Sequence, residues 1–158
     1  MRPWNNKYEY ENVMLCVLCG CCGSGKTTLS RQLAEQYNAK LYCFDNLPNS
    51  HHPKYAESVR NKMWQDIAVD LNEGKKIIVD DLHTRLRWRK GLLSYVSDIS
   101  CQKNLIVMNT PLEECLKRNA NRQYKLPEFV VENTFKNYEP PTLDEGWDEI
   151  IVINDNEN

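Results

Sequence analysis

The chain has 158 residues, 41% hydrophobic and 27% charged, and its 20 Lys and Arg against 22 Asp and Glu leave a formal net charge of −2. That length supplies one buried core, and an ordinary apolar share with a small net charge excludes an intrinsically disordered chain. No apolar run approaches the ~20 residues of a membrane-spanning helix, and Met1–Asn12 lacks a basic start followed by an apolar stretch, so the expectation is a soluble, cytoplasmic protein without a secretory signal.

Five short apolar runs are predicted as strands: Val13–Leu18, Leu41–Phe44, Ile77–Val79, Leu105–Met108 and Ile150–Ile153. They are continuous rather than alternating, the pattern of parallel strands covered on both faces. After the first, Thr27–Asn38 carries Leu29, Leu33 and Tyr37 at helical spacing. After the second, Lys54–Glu73 carries Val59, Met63, Ile67 and Leu71, and Gly74 stops it. Thr84–Ile99 is a weaker helix, interrupted by Gly91. Thr110-Pro111-Leu112-Glu113 has the form of a capping box with proline at the first helical position, and starts a helix running to about Asn119. Leu126-Pro127 opens a last helix with Val131, Phe135 and Tyr138 on one face. With no repeat and no linker, residues 1–158 are expected to form one domain. Its architecture is a three-layer α/β/α sandwich on a five-stranded parallel sheet, with a helical lid over about 117–138.

Gly20-Cys21-Cys22-Gly23-Ser24-Gly25-Lys26-Thr27 satisfies G-x-x-x-x-G-K-[ST] and lies between a buried strand and an amphipathic helix, where a phosphate loop belongs. Its glycines let the backbone curl so that N–H groups converge on phosphate oxygens, and the helix N-terminus adds partial positive charge. Lys26 is expected to reach the β- and γ-phosphates of ATP, and Thr27 to ligate Mg²⁺. Cys21, Cys22, Ser24 and Thr28 complete the nucleotide-binding stretch. The fold expected is that of a P-loop NTPase.

An acid ending the neighbouring strand can hold the magnesium, and Asp80 and Asp81 both stand there. Adjacent residues of a strand face opposite ways, so spacing does not choose between them. Asp45 ends the second strand and faces the same cleft, because ligands of an open parallel sheet bind beyond its carboxyl edge. There it either takes the proton of an attacking hydroxyl or caps the loop that follows. Arg118 and Arg122 share a face if their helix continues, aimed at the transferred phosphoryl group or simply forming a basic helix end.

Charge is unevenly placed. Residues 137–158 hold seven acids and no Lys or Arg, whereas Arg85, Arg87, Arg89 and Lys90, and then Lys117, Arg118, Arg122 and Lys125, form basic clusters. These either meet a polyanion or are solvated helix faces. Seven cysteines are an odd number, and Cys16, Cys19, Cys21 and Cys22 lack a second CxxC, so neither a disulfide framework nor a zinc site is expected.

Taken together, several separate pieces resemble the small P-loop kinases of the polynucleotide 5′-hydroxyl kinase type. They are the phosphate loop, Asp45, Val79-Asp80-Asp81, Leu116-Lys117-Arg118-Asn119-Ala120-Asn121-Arg122, Leu126-Pro127 with its following helix, and the stretch Tyr138-Glu139-Pro140-Pro141-Thr142-Leu143-Asp144-Glu145-Gly146-Trp147-Asp148-Glu149-Ile150. The last is similar to the F-E-P-P-T-x-x-E-G-F of animal polynucleotide kinases and many phage-encoded relatives. The resemblance implies ATP and Mg²⁺ on Lys26 and Thr27, Asp45 as general base, Arg118 and Arg122 as lid arginines, and Asp80 or Asp81 as the third-strand acid.

Three departures fall on the acceptor side. Phe44 stands where the family often has Arg, Pro48 stands where a second acceptor-side Arg belongs, and Asp81-Leu82-His83 replaces D-x-T-N or D-T-N. Arg85, Arg87 and Arg89 are candidates to supply the missing charge to a 5′-OH RNA or DNA end, with Trp88 stacking on a base. The alternatives are a nucleoside or other small-metabolite kinase, for which the 34 residues between Asp45 and Asp80 are a suitably short acceptor region, and a nucleotide-binding regulator. A GTPase is disfavoured by the lack of N-K-x-D, and a shikimate-type kinase by Leu47 where an acid is needed.

Overall fold

The computed structural model describes residues 14–123 and 125–154. Val13, the N-terminal segment and the end of the acidic tail lie outside the described residues. Five strands form one sheet: β1 (Met14–Cys19), β2 (Lys40–Cys43), β3 (Lys76–Asp80), β4 (Gln102–Asn109) and β5 (Glu149–Asn154). All neighbours are parallel and the order is β2-β3-β1-β4-β5. Each strand–strand connection includes a helix or a long crossover, as parallel pairing requires.

β1 is the central strand and Leu15–Cys19 are fully buried, which is why its run is continuously apolar. Alternate residues feed two cores. Leu15, Val17 and Cys19 pack with Ile77, Val79, Leu105 and the helices α2 (Ala56–Asn72) and α3 (Leu86–Val96). Cys16 and Leu18 pack with Ile78, Ile106 and Leu33 of α1 (Lys26–Tyr37). α4 (Leu112–Ala120) and α5 (Glu128–Lys136) pack against each other. Among the described residues no helix is long and apolar enough to cross a membrane.

Two local expectations are corrected. Gly91 does not interrupt α3, which runs unbroken from Leu86 to Val96; a Cβ at 91 would come within 2.4 Å of the Trp64 indole, so the glycine is the seat of that ring. α4 stops at Ala120, with Asn121 at its C-cap, so Arg118 and Arg122 are not successive turns of one helix. A capping box does occur elsewhere, in Thr142–Glu145. There Thr142 and Glu145 exchange side-chain bonds with each other's backbone, fixing a short 3₁₀ turn over Leu143–Glu145.

Candidate active site

The loop between β1 and α1 curls through two left-handed glycines, Gly23 at φ 83° and Gly25 at φ 95°. A Cβ at Gly23 would stand 2.8 Å from the Cys115 carbonyl, so α4 can lie directly on the loop there only because the residue is glycine. Gly25 is the N-cap of α1 and offers no side-chain cap, so the helix opens with its N–H groups turned to the loop. Lys26 folds back, its Nζ donating to the carbonyls of Gly20 at 2.8 Å and Cys21 at 3.2 Å. Ser24 Oγ is buried without a hydrogen-bond partner among the described residues. A buried hydroxyl left in that state is costly unless a ligand oxygen meets it. Thr28 is exposed on the first turn of α1.

The two acids at the end of β3, Asp80 within it and Asp81 just beyond, point apart, as neighbours in a strand do. Asp80 accepts the Thr27 hydroxyl at 3.0 Å and the Ser30 hydroxyl at 3.4 Å, beside Cys43. Asp81 turns the other way. Its carboxylate takes Arg60 Nε at 2.9 Å and Nη2 at 3.2 Å, together with the Leu82 amide. Burial opposes its ionisation, but the neighbouring His83 and Arg60 outweigh that and hold its carboxyl below the ordinary range. Thr27 and Asp80 thus present hard oxygen donors side by side, a set that fits Mg²⁺, whereas the structure directs Asp81 into an ion pair.

Asp45 lies in a 3₁₀ turn, Phe44–Asn46, immediately after β2. Its side chain is 72% exposed, with His51 Nε2 at 3.1 Å from Oδ1. The Phe44 ring faces inward, and the Arg60 guanidinium lies 3.9 Å from its centroid and 5.1 Å from that of Trp88. Arg60 was not singled out from sequence. The signal was available, for Arg60 falls one turn before Trp64 on the stripe that continues through Ile67 and Leu71, and a charge on a buried stripe needs a partner.

The basic cluster on α3 divides. Arg87 is exposed and lies 5.3 Å from the Trp88 ring. Arg85 pairs loosely with Glu139 at 3.7 Å. Arg89 is fully buried: its Nε and Nη2 donate to the two Glu145 oxygens at 2.8 and 3.1 Å, and its Nη1 to the His83 carbonyl. The expectation that Arg89 meets an acceptor is therefore corrected, because a side chain on the inner stripe with Leu92, Leu93 and Val96 cannot reach one.

Arg118 Nη1 donates to the Gly23 carbonyl at 3.2 Å while Nε faces Glu114 at 3.3 Å, so it lies on the phosphate loop. Arg122 is exposed in the turn after α4. Burial pushes the Cys22 thiol up, opposed by the positive charge of Lys26. Cys21 is likewise pushed up by burial, against a bond from Thr134 of α5. All seven cysteines are free thiols.

A phosphate loop at the carboxyl edge of a parallel 2-3-1-4-5 sheet, with Thr27 bonded to an acid of the adjacent strand, is the P-loop kinase fold, and the chain is an ATP-dependent phosphotransferase. By sequence it belongs to a family described as an AAA domain, whose model matches residues 15–141. It is similar to the L-seryl-tRNA(Sec) kinase of Methanococcus maripaludis, 26% identical over 92% of this chain and 68% of that protein. The fold matches that of a sugar kinase from a Janibacter species, with a TM-score of 0.73 at 16% identity over 90% of this chain and 85% of that one. It also matches a chain in the structure of the Pnkp1/Rnl/Hen1 RNA repair complex, with a TM-score of 0.69 at 20% identity over 84% of this chain and 46% of that one.

Proposed function

We propose that this kinase transfers the γ-phosphoryl group of ATP to the 5′-hydroxyl of a polynucleotide, with Asp45 as general base. The observation that carries the reading is the placement of an exposed carboxylate, Asp45, one strand away from the Thr27–Asp80 pair, with the buried Phe44 ring beside it supporting Arg60 and, beyond that, Trp88 and the exposed Arg87. An open carboxylate admits a chain end, and aromatic faces interleaved with cations suit nucleic acid. The similarity to a kinase named for seryl-tRNA and to a chain of an RNA repair complex points the same way.

Gly20–Thr28 cradle the triphosphate, with the buried Ser24 hydroxyl and the loop amides turned to its oxygens. Lys26 exchanges its two carbonyl partners for phosphate oxygens, and Arg118 is already on the loop to offset charge on the group in flight. Thr27 and Asp80 would hold Mg²⁺, and the ion would supply positive charge to offset that of the triphosphate. Asp45 takes the acceptor proton as the new O–Pγ bond forms and the bond from Pγ to the β,γ-bridging oxygen breaks, leaving ADP. Residues 117–138 act as the lid that brings Arg122 in and excludes water.

A small-metabolite acceptor is the second reading, favoured by the short acceptor side, in which α2 is the only full helix between Asp45 and Asp80. Transfer of labelled γ-phosphate with Mg²⁺ to 5′-OH RNA, 5′-OH DNA and a nucleoside pool separates the two. Label on an oligonucleotide end, lost in Asp45→Ala while ATP still binds, is the expected result. Label on nucleosides alone overturns it in favour of the second reading.

A further inference from the structure

Between α4 and α5 the chain makes a short turn, and one side chain closes it. Asn119, 4% exposed in the last turn of α4, donates from Nδ2 to the Leu126 carbonyl at 2.8 Å and accepts the Leu126 amide on Oδ1 at 3.0 Å. Its own carbonyl takes the Arg122 amide at 3.1 Å. Asn119 thus holds both ends of the segment that carries Arg122, one end by its backbone and the other by its carboxamide.

The pairing is specific to a carboxamide. Leu126 precedes Pro127, and the proline ring disfavours helical backbone in the residue before it. An extended residue turns its N–H and C=O to the same side, so Leu126 offers one donor and one acceptor together. Asn119 meets them with one acceptor and one donor. A carboxylate at 119 would keep the first bond and set two acceptors face to face in the second. The helices joined by this clasp are the two that touch the phosphate loop. α4 lies with the Cys115 carbonyl against Gly23 and Arg118 on the Gly23 carbonyl, and α5 is bonded through Thr134 to Cys21. Arg122 is exposed, yet it leaves from a backbone that is tied to helices seated on that loop.

We infer that Asn119 is a positioning residue for phosphoryl transfer, its carboxamide fixing the backbone from which Arg122 reaches the group in flight. Asn119 acts through Arg122 rather than on the substrate. The inference rests on the reading above in which Arg122 is brought to the transferred group, and it is independent of which acceptor takes that group. An arginine on a loose turn must order backbone and side chain together in every cycle, whereas one on a closed turn has only its side chain to order.

The test uses the full chain. Affinity for ADP, aluminium fluoride and Mg²⁺, a mimic of the group in flight, is measured beside that for ADP and Mg²⁺ alone, together with kcat and KM for ATP on whichever acceptor takes label. Asn119→Ala and Asn119→Asp should each weaken the aluminium fluoride complex and lower kcat about 10-fold. Affinity for ADP and the KM for ATP should stay within about threefold, since the clasp serves only the later state. With Arg122→Ala already in place, either change should cost less than about twofold more, because residues acting as a unit are not additive. Pro127→Ala, at an exposed position, loosens Leu126 without altering Asn119 and should shift the same quantities in the same direction by about 2- to 5-fold. Losses that add to that of Arg122→Ala, or that fall equally on ADP and its aluminium fluoride complex, would show Asn119 to be a brace of the fold only and overturn the inference. So would an Asn119→Asp chain equal to wild type. An Arg122→Ala chain that binds the mimic as wild type does would remove Arg122 from the reading above, and the inference with it. Label on nucleosides alone would remove the polynucleotide acceptor and leave the role of Asn119 standing.

Discussion

Arg89 and Glu145 form a two-bond ion pair, 0% and 6% exposed, 56 residues apart in sequence. Glu145 also accepts from the Trp147 indole and from the Thr142 amide, and Arg89 donates to His83, whose carbonyl takes the Cys19 thiol as well. The chain after α5 is thereby fastened to the carboxyl ends of β1 and β3, directly beneath the phosphate loop. The stretch from Thr142 to Glu145 is thus tied through Arg89 and His83 into the floor on which the loop stands.

Breaking that pair from one side should be expensive. Glu145→Gln leaves a guanidinium buried with its charge uncompensated, which costs roughly 3–5 kcal/mol, or a melting point lower by on the order of 10 °C. Calorimetry checks this, and Arg89→Met combined with Glu145→Leu should recover part of the loss because it removes both charges together. A single variant that melts within a degree of wild type would mean that water or a shifted side chain replaces the pair.

Acid should expose the same contacts. Burial works against the Glu145 carboxylate, but bonds from Arg89, Trp147 and Thr142 hold it below its ordinary value. Asp70 is held at about 2, where burial is outweighed by bonds from Lys40, Tyr42 and Lys75. For a depressed carboxyl, stability is fully present above the unfolded value and is lost as pH falls through the folded one. Denaturant midpoints should therefore be flat from neutral pH down to about 5 and fall steeply between about 4 and 2. Asp70→Asn should flatten that fall, and a midpoint that declines just as steeply in the variant would assign it to other groups.

Asp80 and Asp81 should separate cleanly. Asp80→Asn removes the oxygen that faces Thr27, so Mg²⁺-dependent transfer should drop on the order of 10- to 100-fold with little change in melting. Asp81→Asn strikes a buried pair, so it should lower stability and raise the acceptor KM by loosening Arg60, while the Mg²⁺ requirement stays as in wild type. Magnesium titrations of the two variants decide it; the reverse pattern would put the metal on Asp81.

What the sequence carried and what it withheld follow from periodicity. The phosphate loop was legible because its glycines, lysine and threonine must occupy consecutive positions between a strand and a helix. The five strands were legible because both sheet faces are covered. The choice between Asp80 and Asp81 was not, since strand alternation says that they part but not which way. Arg89 reads as one of a surface cluster until its i+3, i+4 and i+7 partners Leu92, Leu93 and Val96 are seen to define the inner face of α3. Gly91 reads as a helix breaker because its real reason, the Trp64 ring, comes from a different helix and leaves no local trace.

Gly23 is a second place where backbone and neighbour agree. Its φ of 83° strains any L side chain, and the Cys115 carbonyl 2.8 Å from an added Cβ is backbone and cannot swing aside. Gly23→Ala should weaken ATP binding on the order of 10-fold or more by pushing α4 and Arg118 off the loop. Equilibrium titration with a fluorescent ATP analogue measures this, and unchanged affinity would mean that α4 lifts away freely.

Gly91→Ala tests whether packing or propensity governs α3. In an open helix the change gains roughly 1 kcal/mol. Here the new methyl would lie 2.4 Å from the Trp64 indole, and overpacking of that kind costs about 1–3 kcal/mol. The clash should win, lowering the melting point by a few degrees at about 2–4 °C per kcal/mol. Trp64 offers the means to prove the cause, because its indole Nε1 is buried with no hydrogen-bond partner among the described residues. Trp64→Phe therefore gives up no hydrogen bond, and its smaller ring vacates the space that the methyl needs. In the Trp64→Phe background, Gly91→Ala should turn from destabilising to neutral or stabilising, a coupling of at least about 1 kcal/mol in a double-mutant cycle. Additive effects would mean that the glycine's packing against Trp64 is not what keeps it there.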